Sequence, residues 1–534
     1  MKLTLDNLKH KEFWESADIA LPSYDAAATA EKTKNAPVWA HFGIGNIFRI
    51  FIGGIADRLL NADAMDRGLT CVEAFDYDVV DKIYTPFDNL GISVILHGDG
   101  TVEKRVLGSM CEAVKAQVSN SEQWNRLSEI FQNPTLQMVS FTITEKGYAL
   151  KGTNGEYLPF ISTALDNGPE KAASAMAIVT AMLLKRFQAG AAPLALVSMD
   201  NCSQNGSLLR NSVLTVASEW KTRGFVDDSF LSYISDETRV SFPWTMIDKI
   251  TPRPDTKIAD ALEAAGVENM QPVITSKHTY IAPFINAEGP QYLVIEDNFP
   301  NGRPALEKAD VYMTDRETVN KSERMKVTVC LNPIHSALCT YGCLLGYDLF
   351  SDVMKDEDLL KLAHLVGDEG MKVVPDPVIL SPEAFLNECL TERFTNPYLG
   401  DTVQRIATDI SQGLSVRFGE TIKSYVEKDG SASSLNGIVL AIAGWLRYLL
   451  AVDDQGNKFE LSPDPLNAEM TEKLAGIVIG KPESYQGELK EILSNKNIFG
   501  VDLYEAGLGE KIEKLFCQEI AGAGAVRNTL KIMK

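Results

Sequence analysis

The chain has 534 residues, 45% of them hydrophobic and 23% charged, the make-up of an ordinary soluble globular protein long enough for about two to four domains. A formal net charge of −21 argues against non-specific nucleic-acid binding and against an anionic membrane surface, so an anionic substrate needs a local cluster of Arg and Lys. Eight cysteines with no CxxC pair, most of them in apolar runs, read as reduced core thiols and not as a zinc site, and no metal is expected.

The amino terminus carries charges where a signal peptide needs an apolar core. The longest apolar stretches, 172–184 and 438–452, are too short to span a bilayer, and Arg447 interrupts the second. A reducing cytoplasm is the expected location, with no membrane partner.

Residues 1–36 are polar and mixed and read as a lead-in arm. Residues 38–49 then read as an apolar strand, a glycine turn and a helix. Gly43 and Gly45 fit the first two positions of a dinucleotide fingerprint, where backbone amides approach a pyrophosphate at a helix amino terminus. Phe48 occupies the place of the third glycine. A second strand comes next at 69–75, with Glu73 near its end. An acid there accepts hydrogen bonds from the adenosine ribose and repels a 2′-phosphate, which favours NAD over NADP. Asp76 and Asp78 are close enough to be rivals.

The run 136–143 leads into Thr144-Glu145-Lys146, a helix is expected over 172–187, and a buried strand over 194–199. Strands alternating with helices indicate a parallel sheet, whose carboxyl-end loops carry ligands. Asn201 sits in such a loop, where its amide could reach a substrate oxygen or simply close an Asx turn. Residues 241–252 form a proline-bounded extended segment, and 298–304 are dense in turn residues. From about 315 helical periodicity dominates, over 356–366, 401–414, 419–427, 435–452 and 469–479. The fold class expected is α/β: a Rossmann-like NAD-binding domain with its amino-terminal arm over 1–314, then a mainly helical substrate and catalytic domain over 315–534.

Within the apolar stretch 322–347 lie Lys326, Asn332 and His335, side chains able to move a proton, hold an oxyanion and orient a hydroxyl. A lysine among Met, Val, Cys and Leu is partly desolvated, which suits it to acid/base work near neutral pH.

Together these segments resemble the polyol-specific long-chain dehydrogenase/reductases, the mannitol dehydrogenase family. The matching stretches are His41-Phe-Gly-Ile-Gly-Asn46 with Arg49, Val139 to Tyr148, Val197-Ser-Met-Asp-Asn201 with Asn205-Gly206, Ile247 to Pro252, Asn301-Gly-Arg-Pro304, Leu331-Asn-Pro-Ile-His335, Arg393-Phe-Thr-Asn-Pro397 and Arg405-Ile-Ala-Thr-Asp409. The resemblance implies NAD-dependent hydride transfer between a sugar-derived secondary alcohol and its ketone. It gives Lys326 as the acid/base, Asn201 and Asn332 as the amide pair on the developing alkoxide, and His335 as the residue that orients a substrate hydroxyl. Glu323 matches a glutamate that passes the proton to solvent, and Arg405 an arginine of the polyol pocket. Cofactor contacts are implied at Gly43, Gly45, Asn46, Glu73, Thr144 and Glu145. Within the family, segments such as 416–422 look most like the fructuronate reductases (D-mannonate/D-fructuronate), ahead of the mannitol 2-dehydrogenases and tagaturonate reductases. A non-catalytic NAD-binding regulator is the reading from another class, and the intact Lys326, Asn201, Asn332 and His335 weigh against it.

The chain departs from the family's pattern in three places. Five residues separate Lys326 from Asn332 where the family has four; on a regular helix, at about 100° per residue, Lys326 and His335 would point about 180° apart. A break, a π-type bulge or a helix start is therefore expected between Val327 and Pro333, with Asn332 as N-cap and Pro333 as the first helical residue. Gly413 stands where a lysine usually comes after the arginine, so one substrate contact is missing or supplied elsewhere. Lys249 replaces the usual arginine of the Asp-Arg-Ile-x-Pro element.

Overall fold

The computed structural model describes residues 1–152 and 154–532. By its internal contacts the chain separates into two compact units, 1–96 with 100–320, and 97–99 with 321–534.

The first unit is built on a six-stranded parallel sheet. Its strands are β1 (Trp39–Phe42), β2 (Leu69–Glu73), β3 (Met110–Lys115), β4 (Met138–Phe141), β5 (Leu194–Ser198) and β6 (Val240–Ser241). They lie in the order β3-β2-β1-β4-β5-β6, the doubly wound arrangement whose switch point flanks β1. β1, β2, β4 and β5 are buried at every position, as a sheet covered on both faces requires, which explains why they read as continuous apolar runs. The helix Ala175–Gln188 covers one face, capped by the Ser174 hydroxyl. Near its end the buried Arg186 donates to the carbonyls of Leu136 and Pro193, which pins the entries to β4 and β5.

Three smaller sheets complete the unit: one pairs Gly91–Leu96 with Val102–Leu107 and Phe284–Glu288, another joins Thr245–Asp248, Tyr292–Glu296 and Tyr312–Thr314, and the third is the two-stranded pair Val273–Ile274 and Tyr280–Ile281. The amino-terminal segment is not a loose arm. Leu3, Trp14 and Ile19 are buried in a cluster with Phe87, Val106, Leu262 and Phe284. Its polar composition hid a few well-spaced anchors, and burying them outweighs the exposed charges between.

The second unit contains no strand among the described residues. Its centre is the helix Asn332–Leu344, apolar nearly all round and packed against Glu357–Met371 and Gly437–Tyr448. Gly444 allows the last contact, because a Cβ there would stand 2.5 Å from the Tyr341 ring. The Glu369 carboxylate accepts the amides of Gly437 and Ile438, so an anion caps the positive end of that helix. The single helix expected over 401–414 is instead two short ones, Val403–Ile406 and Ile410–Leu414. Asp409 between them adopts φ +53 and donates its amide to the Pro463 carbonyl, a tertiary bond that the helical periodicity could not reveal. Likewise 419–427 is a π-helical turn, Ser415–Gly419, leading into the α-helix Glu420–Asp429.

Candidate active site

In the first unit the ligand-bearing end of the sheet is set by one glycine. Gly43 leaves β1 with φ +87, and a Cβ on it would lie 2.2 Å from the Thr142 carbonyl, so no other residue fits. The chain then enters a helical stretch, first as the π turn Phe48–Ile52 and then as Gly53–Asn61. Phe48, in place of the third fingerprint glycine, is fully buried and stacks on His41 with ring centroids 4.2 Å apart. His41 itself bridges Ser140 and Thr142, and burial holds its imidazole well below the usual pKa, so it is a neutral brace between β1 and β4. Arg49 is also structural. It is buried and donates to the carbonyls of Ala282 and Pro283.

Glu73 closes β2 with its carboxylate turned over the next bend. Oε1 accepts the amides of Ala74, Phe75 and Asp76, while Oε2 makes only a 3.4 Å contact with the Ile44 amide on the glycine turn. Burial raises its pKa, and the amides of Asp76, Phe75 and Ile44 oppose that shift. Of its rivals, Asp76 spends one oxygen on the hydroxyls of Thr275 and Thr279, and Asp78 pairs with Lys82.

A dinucleotide fits this end of the unit. The space where a Gly45 Cβ would stand is open to 4 Å, and Asn46 Oδ1 is buried with no hydrogen-bond partner. Glu73 Oε2 retains lone pairs for a ribose hydroxyl. Thr144 and Glu145 are exposed where the connection after β4 enters the short helix Thr144–Tyr148, and Thr144 has φ +62. Sequence reasoning missed the residue that holds that loop. Asp200 accepts the amides of Ile143 and Thr144 and the hydroxyl of Tyr148, tying the loop after β4 to the loop after β5. Asn201, the next residue, is exposed. An acid just past a buried strand was the available signal. Lys249 donates to the backbone carbonyls of Glu288 and Gly289, a bracing position.

In the second unit the expected break is present. Arg316–Met325 is α-helical, Lys326–Cys330 is a π turn, and Asn332–Leu344 resumes the α-helix. The Leu331 amide reaches back five residues to the Lys326 carbonyl at 3.1 Å, which absorbs the extra residue between Lys326 and Asn332. Leu331, with φ −122 and ψ −64, stands at the N-cap position, so Asn332 is the first helical residue and Pro333 the second, one place off the expected register. Pro333 there removes an amide that has no intrahelical partner in any case.

Lys326 is buried at 2% exposure, and Glu323 lies three residues before it, on the same face of the preceding helix. Asn332 is half-buried. His335 is held between two rings, Phe350 edge-on at 4.6 Å and Phe394 at 4.5 Å. The Arg393 guanidinium stands over the Phe385 ring. Arg405 is 63% exposed and ion-paired with Asp401, whose carboxyl is raised by burial and held down by Arg405 and Arg393. Among the described residues no cluster of three or more His, Cys, Asp or Glu is placed to hold a metal ion, and no helix is long and apolar enough to cross a membrane.

These two sets of residues match a known pair of domains. Residues 39–308 match the model of the mannitol dehydrogenase Rossmann domain, and 318–518 that of the mannitol dehydrogenase C-terminal domain. The chain belongs to the mannitol dehydrogenase family and is an oxidoreductase acting on a CH–OH group. It is 50% identical to a D-mannonate oxidoreductase of Thermotoga maritima over 534 residues, covering 99% of this chain and 98% of that one. Among solved structures it resembles a substrate-free D-sorbitol dehydrogenase (TM-score 0.79, 26% identity, 96% and 98% of the two chains). It also resembles the Pseudomonas fluorescens mannitol 2-dehydrogenase in ternary complex with NAD and D-mannitol (TM-score 0.70, 26% identity, 99% of each chain).

Proposed function

We propose that the chain is an NAD-dependent reductase that interconverts D-fructuronate and D-mannonate. The observation that carries this reading is the full-length, 50% identity to a D-mannonate oxidoreductase. Residues 1–314 serve the cofactor and 315–534 the substrate and the proton. NAD(H), when bound, supplies or accepts the hydride. Gly43, Gly45 and Asn46 receive the pyrophosphate end, Glu73 the adenosine ribose, and Thr144 and Glu145 line the same end of the sheet. A carboxylate at Glu73 disfavours a 2′-phosphate, which selects NAD(H).

Lys326 gives a proton to the ketone oxygen during reduction and takes it back during oxidation. Its burial keeps water from competing for that proton. The amides of Asn201 and Asn332 donate to the same oxygen as its charge develops, an interaction often worth several kcal/mol. His335, immobilised between Phe350 and Phe394, orients a substrate hydroxyl, and Arg405 adds a polar contact. Glu323, one helical turn before Lys326, carries the proton to solvent. None of the eight cysteines forms a disulfide, which suits a reducing cytoplasm.

The experiment is NADH oxidation by the purified enzyme with D-fructuronate, D-tagaturonate, D-fructose and fructose 6-phosphate. Highest kcat/KM on fructuronate is expected. A clear preference for fructose would replace this reading with that of a mannitol 2-dehydrogenase, and no turnover on any of the four would favour a regulator.

A further inference from the structure

Gly413, where the family's lysine is absent, is not an empty place. Four residues on, Arg417 folds its guanidinium back over it. A Cβ on Gly413 would meet Arg417 Nε at 2.4 Å and Cζ at 2.6 Å, so the glycine makes room for this cation. Arg417 belongs to the π turn Ser415–Gly419, which packs against the π turn of Lys326. Its Nη1 donates to the Ser336 hydroxyl at 2.7 Å, and Ser336 is the residue directly after His335. The guanidinium is thereby fixed beside the helix that carries Asn332 and His335.

The surroundings leave the charge unanswered. Among the described residues no carboxylate lies in ion-pair range of Arg417, and Ser336 is its one hydrogen-bond acceptor. Burial lowers its pKa, opposed only by the Cys339 thiol. The chain has 72 acidic residues, yet none answers Arg417; Arg49 and Arg186 also bond no acid, but each is met by two or more backbone carbonyls, whereas Arg417 has a single hydroxyl. A guanidinium costs free energy to desolvate, and its planar fork suits a carboxylate better than any other small group.

We infer that Arg417, seated in the space left by Gly413 and steadied by Ser336, is the specificity residue that receives the carboxylate of a sugar-acid substrate. The inference rests on the proposed fructuronate/mannonate reading and gives it a structural cause. A hexuronate offers an anion to Arg417, whereas a hexitol or ketose offers only a hydroxyl. Arg417 does not touch the reacting carbon in this account, so its effect falls on substrate affinity and on the choice between charged and neutral substrates.

The test compares wild type, Arg417→Gln, Arg417→Lys and Gly413→Ala with fructuronate and with fructose, and measures D-mannonate binding to the enzyme–NADH complex by calorimetry. Gly413→Ala is the variant safest for folding, since alanine in a helix is favoured over glycine and the added methyl acts only by displacing the guanidinium. Arg417→Gln should raise KM for fructuronate about 10- to 100-fold, as loss of a charge-assisted hydrogen-bond pair does, with kcat changed far less. Gly413→Ala should shift it in the same direction, and Arg417→Lys should recover part of the loss. Fructose turnover should change several-fold less in every variant. Equal losses on the two substrates, or none on fructuronate, would overturn the role of Arg417 even if wild type reduces fructuronate well. A wild type that binds mannonate through Arg417 yet fails to reduce fructuronate would overturn only the substrate reading. Neither reduction nor mannonate binding would overturn both.

Discussion

At the carboxyl end of the parallel sheet, regular backbone runs up to the last strand residue and stops, at β1 with a glycine. The proposed cofactor site lies at and just beyond the strand ends: Gly43 after β1, Glu73 at the end of β2, and Asp200 after β5 holding Thr144 in place. In the helical unit three basic side chains sit where the helix itself is irregular. Lys326, Arg393 and Arg417 each fall in a π turn, Lys326–Cys330, Cys389–Arg393 and Ser415–Gly419. A sheet points side chains by where its strands end, so irregularity is confined to loops. A helix points them by its periodicity, and an inserted residue re-aims everything beyond it. The first unit tolerates π turns too, but those at Phe48–Ile52 and Val80–Tyr84 place Arg49 on backbone carbonyls and Lys82 on Asp78.

The sharpest way to break this comparison is at Lys326. Lys326→Ala should lower kcat by roughly 10²- to 10⁴-fold, the usual contribution of a positioned acid or base, while NADH binding stays nearly unchanged. Steady-state kinetics and NADH fluorescence titration read the two quantities separately. A loss of NADH binding in step with kcat would make the lysine structural, and the proton would then have to come from another group, such as Lys146.

Gly43→Ala is the counterpart in the sheet. The left-handed backbone alone costs about 1–3 kcal/mol for a side chain, and the Thr142 carbonyl at 2.2 Å must also move. Weakened NADH binding with a lowered Tm is expected, and fructuronate binding should be spared. An unchanged NADH Kd would show that the turn does not set the cofactor site.

How legible each region was in the sequence reflects the same contrast. The strands of the parallel sheet could be read because burial on both faces makes each a short apolar run, and Gly43 because only glycine suits that turn. The π turn at Lys326 was legible only by counting: one residue too many before Asn332, with Pro333 nearby. Arg417 was not found, although Gly413 flagged a gap, because nothing local says that a side chain one turn later will fold back into it. The break at Asp409 was hidden for a similar reason, since its amide is taken by Pro463, far along the chain. The amino-terminal segment was misjudged because averaged polarity conceals Trp14 and its few buried companions.

A milder effect is expected at Glu73. Glu73→Gln keeps an acceptor for the amides of residues 74–76 but removes the negative charge. The preference for NAD(H) over NADP(H), in kcat/KM, should narrow on the order of tenfold, equivalent to ~1.4 kcal/mol. Equal use of both cofactors by the wild type would remove Glu73 from this role.

The smallest effect on activity belongs to the regular core beneath the helical site, where nothing is displaced and an ionisable group is simply kept neutral. Glu519 is fully buried, takes a 2.5 Å hydrogen bond from the Tyr341 hydroxyl on Oε1, and has no partner on Oε2. Burial pushes its carboxyl up from 4.5 to about 8, although Tyr341 and Arg447 oppose the shift. A folded pKa above the unfolded one means that the native state holds this proton more tightly. Stability from this group is therefore full below 4.5, declines as pH rises toward about 8 while the unfolded chain ionises and the folded one does not, and changes no further above that. Glu519→Gln retains an acceptor for Tyr341 and removes the titration. Thermal unfolding across this pH range should show wild type losing stability relative to the variant as pH rises, with the gap level above about 8. Parallel profiles for the two proteins would mean that Glu519 is ionised in the folded state, with Arg447 supplying its counter-charge.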